Sequence, residues 1–346
     1  MDYDFLIVGQ GIAGSLLAWF LHRQGKRVLI IDTPDPSSAS RIALGLINPV
    51  TGKRLVKSWR IDELLPFALG TYRQIEQVLG IEVFHQRVLS RIFSNPEDYQ
   101  FFRIKMETGQ LPSYISRQDR FPECFHHAGL EGVEISQVFY LDYPLLLGEM
   151  RNWFVSRNML WSDQFQYSQL QVLKDKAHYA GLWFTKVIFC EGSHAVNNPF
   201  FPGLPFRLSK GQILTVKLSG VPEDKIWYKG VHLVPLGRGV FRVGSTYEWD
   251  FQDSLPTPEG REALIRKLQN AVRLPFEVLE HQAAIRPTVV DRRPLIGMHS
   301  KYACLGIFNG LGTKGASLAP FFGHIFAEAL VYDRPSDWSL SPYRNT

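Results

Sequence analysis

Short apolar runs and longer amphipathic stretches alternate along this chain, and the first forty residues set the pattern. Phe5-Leu6-Ile7-Val8 is an unbroken apolar run that ends at a glycine. It is too short for a helix and has no polar alternation, so it predicts a strand buried on both faces. Ile12 to Gln24 predicts a helix, with Leu16, Leu17, Phe20 and Leu21 on one side and Gly25 as its stop. Arg27 to Asp32 predicts a second buried strand. Strand, helix and strand within about 30 residues form a right-handed βαβ unit.

The alternation continues after a Pro/Ser stretch, Pro34 to Ser40, and a loop ending Gly45 to Pro49. Asp62 to Leu79 reads as helix, and Gly80 to about Phe139 as mixed and strand-rich. Asp142 to Arg157 reads as helix and Trp183 to Phe189 as a buried strand. From Phe206 to Tyr247 short strands alternate with Gly and Pro turns, which predicts a mostly antiparallel sheet. An amphipathic helix over Thr257–Arg273, a buried strand over Tyr302–Phe308 and a closing helix over Ala316–Leu330 complete the pattern.

These elements predict an α/β fold. A doubly wound, Rossmann-like dinucleotide-binding domain is expected from residues 1–79, 141–205 and 286–346. An inserted, mostly antiparallel sheet domain for substrate is expected from residues 80–140 and 206–285. A length of 346 residues agrees with two domains, because single cores rarely grow past roughly 250–300 residues.

Composition narrows the function. A formal net charge of +5 is too small to argue for nucleic acid, and the run Lys53, Arg54, Lys57, Arg60 reads as a solvated face. Cys124, Cys190 and Cys304 are far apart and form no CxxC, which disfavours a dithiol centre and a zinc site. Adjacent His126 and His127 point differently and make a poor metal pair, so no metal is expected. The N-terminus lacks the basic region of a secretory signal, and no apolar run reaches the roughly 20 residues of a membrane span. A cytoplasmic protein is expected.

The candidate chemistry begins at Gly9-Gln10-Gly11-Ile12-Ala13-Gly14. Gly9 permits a tight bend, Gly11 lets the backbone approach a pyrophosphate, and Gly14 lets helix and strand pack closely. Free N–H groups at the helix start favour the phosphates. Asp32 ends the second strand, where a carboxylate can accept from a ribose diol. This turn serves FAD and NAD(P) alike. A second turn, Asn309-Gly310-Leu311-Gly312-Thr313-Lys314-Gly315, suits the isoalloxazine ring, whose reduced form carries negative charge that N–H groups and a lysine would stabilise. Arg286, between apolar residues and before Pro287, is either paired in a buried network or aimed at an anionic ligand such as a carboxylate.

The chain resembles the D-amino acid oxidase, glycine oxidase and sarcosine oxidase family of flavoproteins. The resemblance rests on the first turn, on Lys210-Gly211-Gln212-Ile213, on Leu233-Val234-Pro235 with Arg242-Val243-Gly244-Ser245-Thr246, on Arg286-Pro287…Pro294-Leu295-Ile296-Gly297, and on the Gly310–Pro320 turn and helix. These occur in order over essentially the whole chain. The resemblance implies non-covalent FAD and hydride transfer to flavin N5 from the carbon beside nitrogen. The implied substrate is a small carboxylate-bearing amine or amino acid. Electrons would then pass to oxygen or another acceptor.

By the same resemblance, Arg286 matches the arginine that grips the substrate carboxylate. His232 falls where glycine oxidase-like members place an active-site tyrosine. Lys314 matches a lysine near flavin and substrate, and Arg242 falls near a flavin-facing lysine used with oxygen. The expected FAD contacts are Gly9 to Gly14, Asp32, Thr33, Arg41, Ala43, Leu44, Gly45, Cys190, Glu191, Gly192 and Gly310 to Lys314. The loop Ala43–Pro49 also resembles the oxidase half of a bifunctional enzyme that removes a carboxymethyl group at the tRNA wobble uridine. The residues taken alone are also compatible with an NAD(P)-dependent dehydrogenase or with a non-catalytic flavin-binding module.

Overall fold

The computed structural model describes residues 1–118, 120–126, 131–334 and 340–344. His127 lies outside the described residues. The longer elements, in chain order, begin with β1 (Tyr3–Val8), α1 (Ile12–Arg23), β2 (Val28–Ile31) and α2 (Ile61–Leu79). β3 (Phe84–Ile92), β4 (Gly132–Leu141), α3 (Tyr143–Val155), β5 (Leu182–Phe189), β6 (Ser209–Lys217) and β7 (Ile226–Tyr228) follow. The chain then runs through β8 (His232–Gly237), β9 (Val240–Gly244), α4 (Pro258–Ala271), β10 (Glu277–Arg286), β11 (Leu295–Met298), β12 (Leu305–Asn309) and α5 (Gly315–Tyr332).

Among the described residues, one sheet has eight strands around a parallel centre, β12-β5-β1-β2. β1 and β2 are almost wholly apolar because helices cover one face and a second apolar layer covers the other. α1 and α5 pack together on one side, and α2 closes over α5. α3 starts at Asp142, whose side chain accepts from Leu145 N–H at 3.1 Å, and α4 starts at Thr257, which accepts from Gly260 N–H at 3.2 Å. Both are N-caps with a proline in the first turn, Pro144 and Pro258, where a missing N–H costs the helix nothing.

The second sheet has nine strands among the described residues: eight in the order β10-β6-β9-β8-β7-β3-β4 and then Leu46–Ile47, and a ninth, Ile115–Gln118, that pairs with β4 off this path. It is antiparallel except where β7 runs parallel to β3. One face packs α4 over Leu214, Val216, Phe241 and Val243. The other face looks toward the parallel sheet. The stretch expected to be mixed and strand-rich also contains a helix, Pro96–Glu107, capped by Asn95. Its apolar side is thin, with Phe102 its main buried residue, so periodicity alone does not reveal it. No helix among the described residues is long and apolar enough to cross a membrane.

Candidate active-site cleft

The two sheets enclose a cleft of about 1320 Å³ that reaches from the β1–α1 turn to the inner face of the second sheet. Single small-ligand pockets run to roughly 1,000 Å³, so this one has room for a dinucleotide and a substrate.

At one end the wall is backbone. Gly9 has φ +101°, and a Cβ there would lie 2.6 Å from the carbonyl oxygen of Cys190. A Cβ on Gly14 would lie 1.9 Å from the Gly9 carbonyl oxygen, so helix and turn touch with no room for a methyl group. Gly11 faces outward, toward Ser40 Oγ, which accepts from Ile12 N–H at 3.2 Å. Ser40 takes the Ile12 N–H, and the N–H groups that follow it in the first turn of α1, which the N-cap Gly11 has no side chain to cap, are the ones left to bind an anion. The α5 terminus meets it there: a Cβ on Gly315 would lie 3.1 Å from Ile12 Cγ2. Two helix N-termini thus converge on one cleft, which fits the phosphates and the electron-accepting ring of FAD.

Most of the expected cofactor residues line this end: Gly9, Gln10, Gly11, Ile12 and Ala13; Asp32 and Thr33; Arg41, Ala43, Leu44 and Gly45; Cys190, Glu191 and Gly192; and Leu311, Gly312 and Thr313. Gly14 and Gly310 pack behind the wall. Lys314 does not line the cleft. Its backbone precedes α5, and burial first, then the charges of Arg293 and Arg292, lower the pKa of its ammonium. The positive group of this turn that lines the cleft is the α5 N-terminus at Gly315.

Two side-chain networks support the backbone. Asp32 accepts from Gln10 N–H at 2.8 Å and from Arg151 Nη1 at 2.9 Å, and Arg151 also reaches Gln10 Oε1 at 3.2 Å. A carboxylate has about four acceptor positions, so Asp32 keeps capacity for a ribose. Glu191 accepts from Tyr167 Oη and from Asn198 Nδ2, the latter at 2.8 Å. Burial pushes its carboxyl up to about 7 against the opposing pull of those two bonds. Sequence reading anticipated neither Arg151 nor Tyr167, because each is far away in the chain and carries no motif.

At the other end the wall is side chains. Arg286 lies flat over β6, where a Cβ on Gly211 would come within 1.7 Å of its Nη2. The glycine in Lys210-Gly211-Gln212 is thus room for a guanidinium. Nη2 donates to Ser245 Oγ at 2.9 Å and to the Thr246 carbonyl at 3.2 Å, and Nη1 donates to the Lys210 carbonyl at 3.3 Å. The ring of Tyr247 stacks on its face at 4.5 Å. These are neutral partners; no carboxylate among the described residues pairs with it. His232 stands two strands away, opposite Gly244 and stacked on Tyr228 at 4.6 Å. Burial, aided by Arg91, lowers its pKa to about 4 despite a hydrogen bond to the Gly244 backbone, so the ring is neutral at pH 7. Arg242 lies two residues before Gly244 on the same strand but does not line the cleft. Its Nε and Nη1 are buried without partners.

Among the described residues no cluster of His, Cys, Asp or Glu is arranged to hold a metal ion.

A family model described as "FAD dependent oxidoreductase" (DAO) matches residues 4–329. Glycine oxidase of Bacillus subtilis is 21% identical, over 97% of this chain and 95% of that protein. The bifunctional protein ThiO/ThiG of Trichormus variabilis is 23% identical over 99% of this chain. The tRNA 5-methylaminomethyl-2-thiouridine biosynthesis bifunctional protein MnmC of Idiomarina loihiensis is 22% identical over 94%. The chain spans about half the length of these two bifunctional relatives, 55% of each. The crystal structure of glycine oxidase from Geobacillus kaustophilus superposes with a TM-score of 0.80 at 18% identity, covering 99% of both chains, and shares the fold.

Proposed function

This chain belongs to the DAO family of FAD-dependent oxidoreductases, and from that premise we propose that it oxidises the C–N bond of a carboxylate-bearing amine or amino acid. Membership makes FAD the cofactor in place of a nicotinamide dinucleotide, and makes the protein an enzyme in place of a passive binding module. When bound, FAD supplies at N5 the acceptor for the hydride that leaves the carbon beside nitrogen.

The chain's own residues position the substrate. The observation that carries the reading is the Arg286 guanidinium, half-buried in the cleft wall and hydrogen-bonded, among the described residues, to neutral oxygens. A half-buried charge of this kind calls for an anion, and a planar guanidinium offers a carboxylate two parallel hydrogen bonds. His232 donates to the Gly244 backbone, which leaves its second nitrogen to accept from the substrate amine. With a pKa near 4 it is a poor base at pH 7, so it orients the amine and the proton leaves to water. The α1 and α5 termini would hold the phosphates and the ring of FAD.

Two measurements test this. Anaerobic mixing of the flavin-loaded protein with amino acids, N-methyl amino acids and amines should bleach the absorbance near ~450 nm for carboxylate-bearing amines and not for their decarboxylated counterparts. Arg286→Lys removes the paired geometry and should lower kcat/KM for such substrates by roughly 10- to 100-fold, as expected for about 1.5–3 kcal/mol of charge-assisted bonding. Equal bleaching by decarboxylated amines, or an Arg286→Lys variant as efficient as the parent, would refute the carboxylate clamp. The likeness to MnmC favours a second reading, the same oxidation on a carboxymethylaminomethyl group of tRNA. That reading requires RNA binding that weakens steeply with salt.

A further inference from the structure

Arg286 shares the cleft with a second arginine that the proposed reaction does not use. Arg91 is on β3, directly opposite Tyr228, and Tyr228 in turn is opposite His232 and His232 opposite Gly244. Paired residues on neighbouring strands point to one side of a sheet, so Arg91 belongs to the same inner face as His232. Its side chain is only 7% exposed, yet it lines the cleft. Nη1 donates to the Gly52 carbonyl at 2.8 Å, Nη2 reaches Asp98 at 3.3 Å, and Nε is buried with no partner. The guanidinium lies over the Tyr228 ring at 5.3 Å.

Asp98 does not cancel this charge fully. It makes a single long contact, its Oδ1 has no partner, and it sits in the first turn of the helix Pro96–Glu107, whose N-terminus already stabilises a carboxylate. Lys53 and Lys267 also line the cleft, and of these Lys53 meets only an exposed glutamate, Glu97, at 3.8 Å. Positive charge is thus in surplus at the end of the cleft away from Arg286.

We propose that Arg91, with Tyr228 and Lys53, forms a second anion subsite, and that the substrate is a dianionic amine whose far end carries a second carboxylate or a phosphoryl group. The proposal rests on the reading of Arg286 as the clamp for the first carboxylate. The Arg91 guanidinium lies over β7 and that of Arg286 over Gly211 of β6, three strand spacings away, roughly 14 Å. Each bound anion sits about 3 Å inside its guanidinium, so a chain with roughly four to six atoms between its two anionic groups spans the remaining gap.

The test uses flavin-loaded protein and length-matched amino acids of either hand: norleucine with a neutral tail, 2-aminoadipate with a carboxylate, and 2-amino-5-phosphonopentanoate with a phosphonate. Aminoadipate or the phosphonate should exceed norleucine at least tenfold in kcat/KM, and whichever leads identifies the group. Arg91→Met alone leaves Asp98 buried and uncompensated and risks misfolding, so Arg91→Met is combined with Asp98→Asn. In that double variant the ratio should fall to near one. A ratio near one in the parent, or an unchanged ratio in the double variant, overturns the subsite. Calorimetry with adipate and hexanoate reads the subsite without turnover: adipate should bind at least tenfold tighter to the parent and lose that margin in the double variant. If adipate keeps its margin while no carboxylate-bearing amine bleaches the flavin, the reaction assigned at Arg286 has failed and the subsite has not; equal binding of the two acids overturns the subsite.

Discussion

The two ends of the cleft are built by different means. The cofactor end is made of backbone: a glycine turn, two helix N-termini and carbonyls packed too closely for any Cβ. The proposed substrate end is made of side chains, with Arg286, His232, Tyr228 and Arg91 drawn from strands scattered over the chain. Backbone recognition tolerates no added atom but is indifferent to most neighbouring side chains. Side-chain recognition tolerates small shifts but depends on which residue stands at each position. A phosphate-bearing cofactor suits the first mode, and a variable small substrate suits the second.

The contrast is sharpest for one methyl group. Gly14→Ala puts a Cβ 1.9 Å from the Gly9 carbonyl oxygen, a backbone atom that cannot rotate away. Helix and turn must separate, with an expected loss of about 3 kcal/mol or more and no bound flavin. Gly11→Ala meets only Ser40 Oγ, at 3.2 Å, and that side chain can move. Its apoprotein should unfold within about 0.5 kcal/mol of the parent while its flavin content drops. Urea melts and the FAD-to-protein ratio check both. A Gly14→Ala protein that is yellow and of parental stability would end the distinction.

Side chains such as Asp32 and Glu191 also reach the backbone end. Glu191 is half-buried on the cleft wall with Tyr167 and Asn198 as partners, and desolvation pushes its carboxyl from 4.5 up to about 7. Below about pH 4.5 it is protonated in folded and unfolded chains alike and costs nothing. As pH rises from there to 7, the unfolded chain ionises freely and the folded chain resists. Apoprotein stability should therefore decline across that window, by about 3 kcal/mol in total, and level off above it. In Glu191→Gln this decline should be absent. Unfolding free energies of both apoproteins between pH 4.5 and 8 decide it, and a slope that survives in the variant assigns the decline to another group.

The same contrast governs what could be read from sequence. The turn at Gly9–Gly14 lies within six consecutive residues, and the steric demand on each glycine is local, so its placement followed from spacing. The α5 turn was legible for the same reason. The surroundings of the Lys314 side chain were not, because they are set by residues from elsewhere in the chain, among them the charges of Arg293 and Arg292. Arg286 was visible as an arginine among apolar residues. Its fit over Gly211, 75 positions earlier, needed the β6–β10 register. Arg91 was invisible in a stretch that read only as strand-rich, since its meaning comes from three strand pairings in succession. Arg151 and Tyr167 reach the cofactor end from α3 and from a short 3-10 turn, with no motif to mark them.

Tyr247 gives the finest probe of how the substrate end achieves its precision. It stacks on one face of the Arg286 guanidinium and is itself 57% exposed. The guanidinium's edge is held by Ser245, Thr246 and Lys210, and none of those bonds involves the phenol ring. If strand register sets the clamp, removing the ring should matter little. Tyr247→Leu keeps apolar bulk and removes only the π face, worth about 0.5–1 kcal/mol at an exposed site. KM for a carboxylate-bearing substrate should rise roughly two- to fivefold with kcat unchanged, since the lost contact is present before and during the reaction. Steady-state kinetics on the flavin-loaded variant reads both constants. A fall in kcat, or a loss as large as that of Arg286→Lys, would mean that the loop after β9 takes part in the reaction and that the substrate end is not built by register alone.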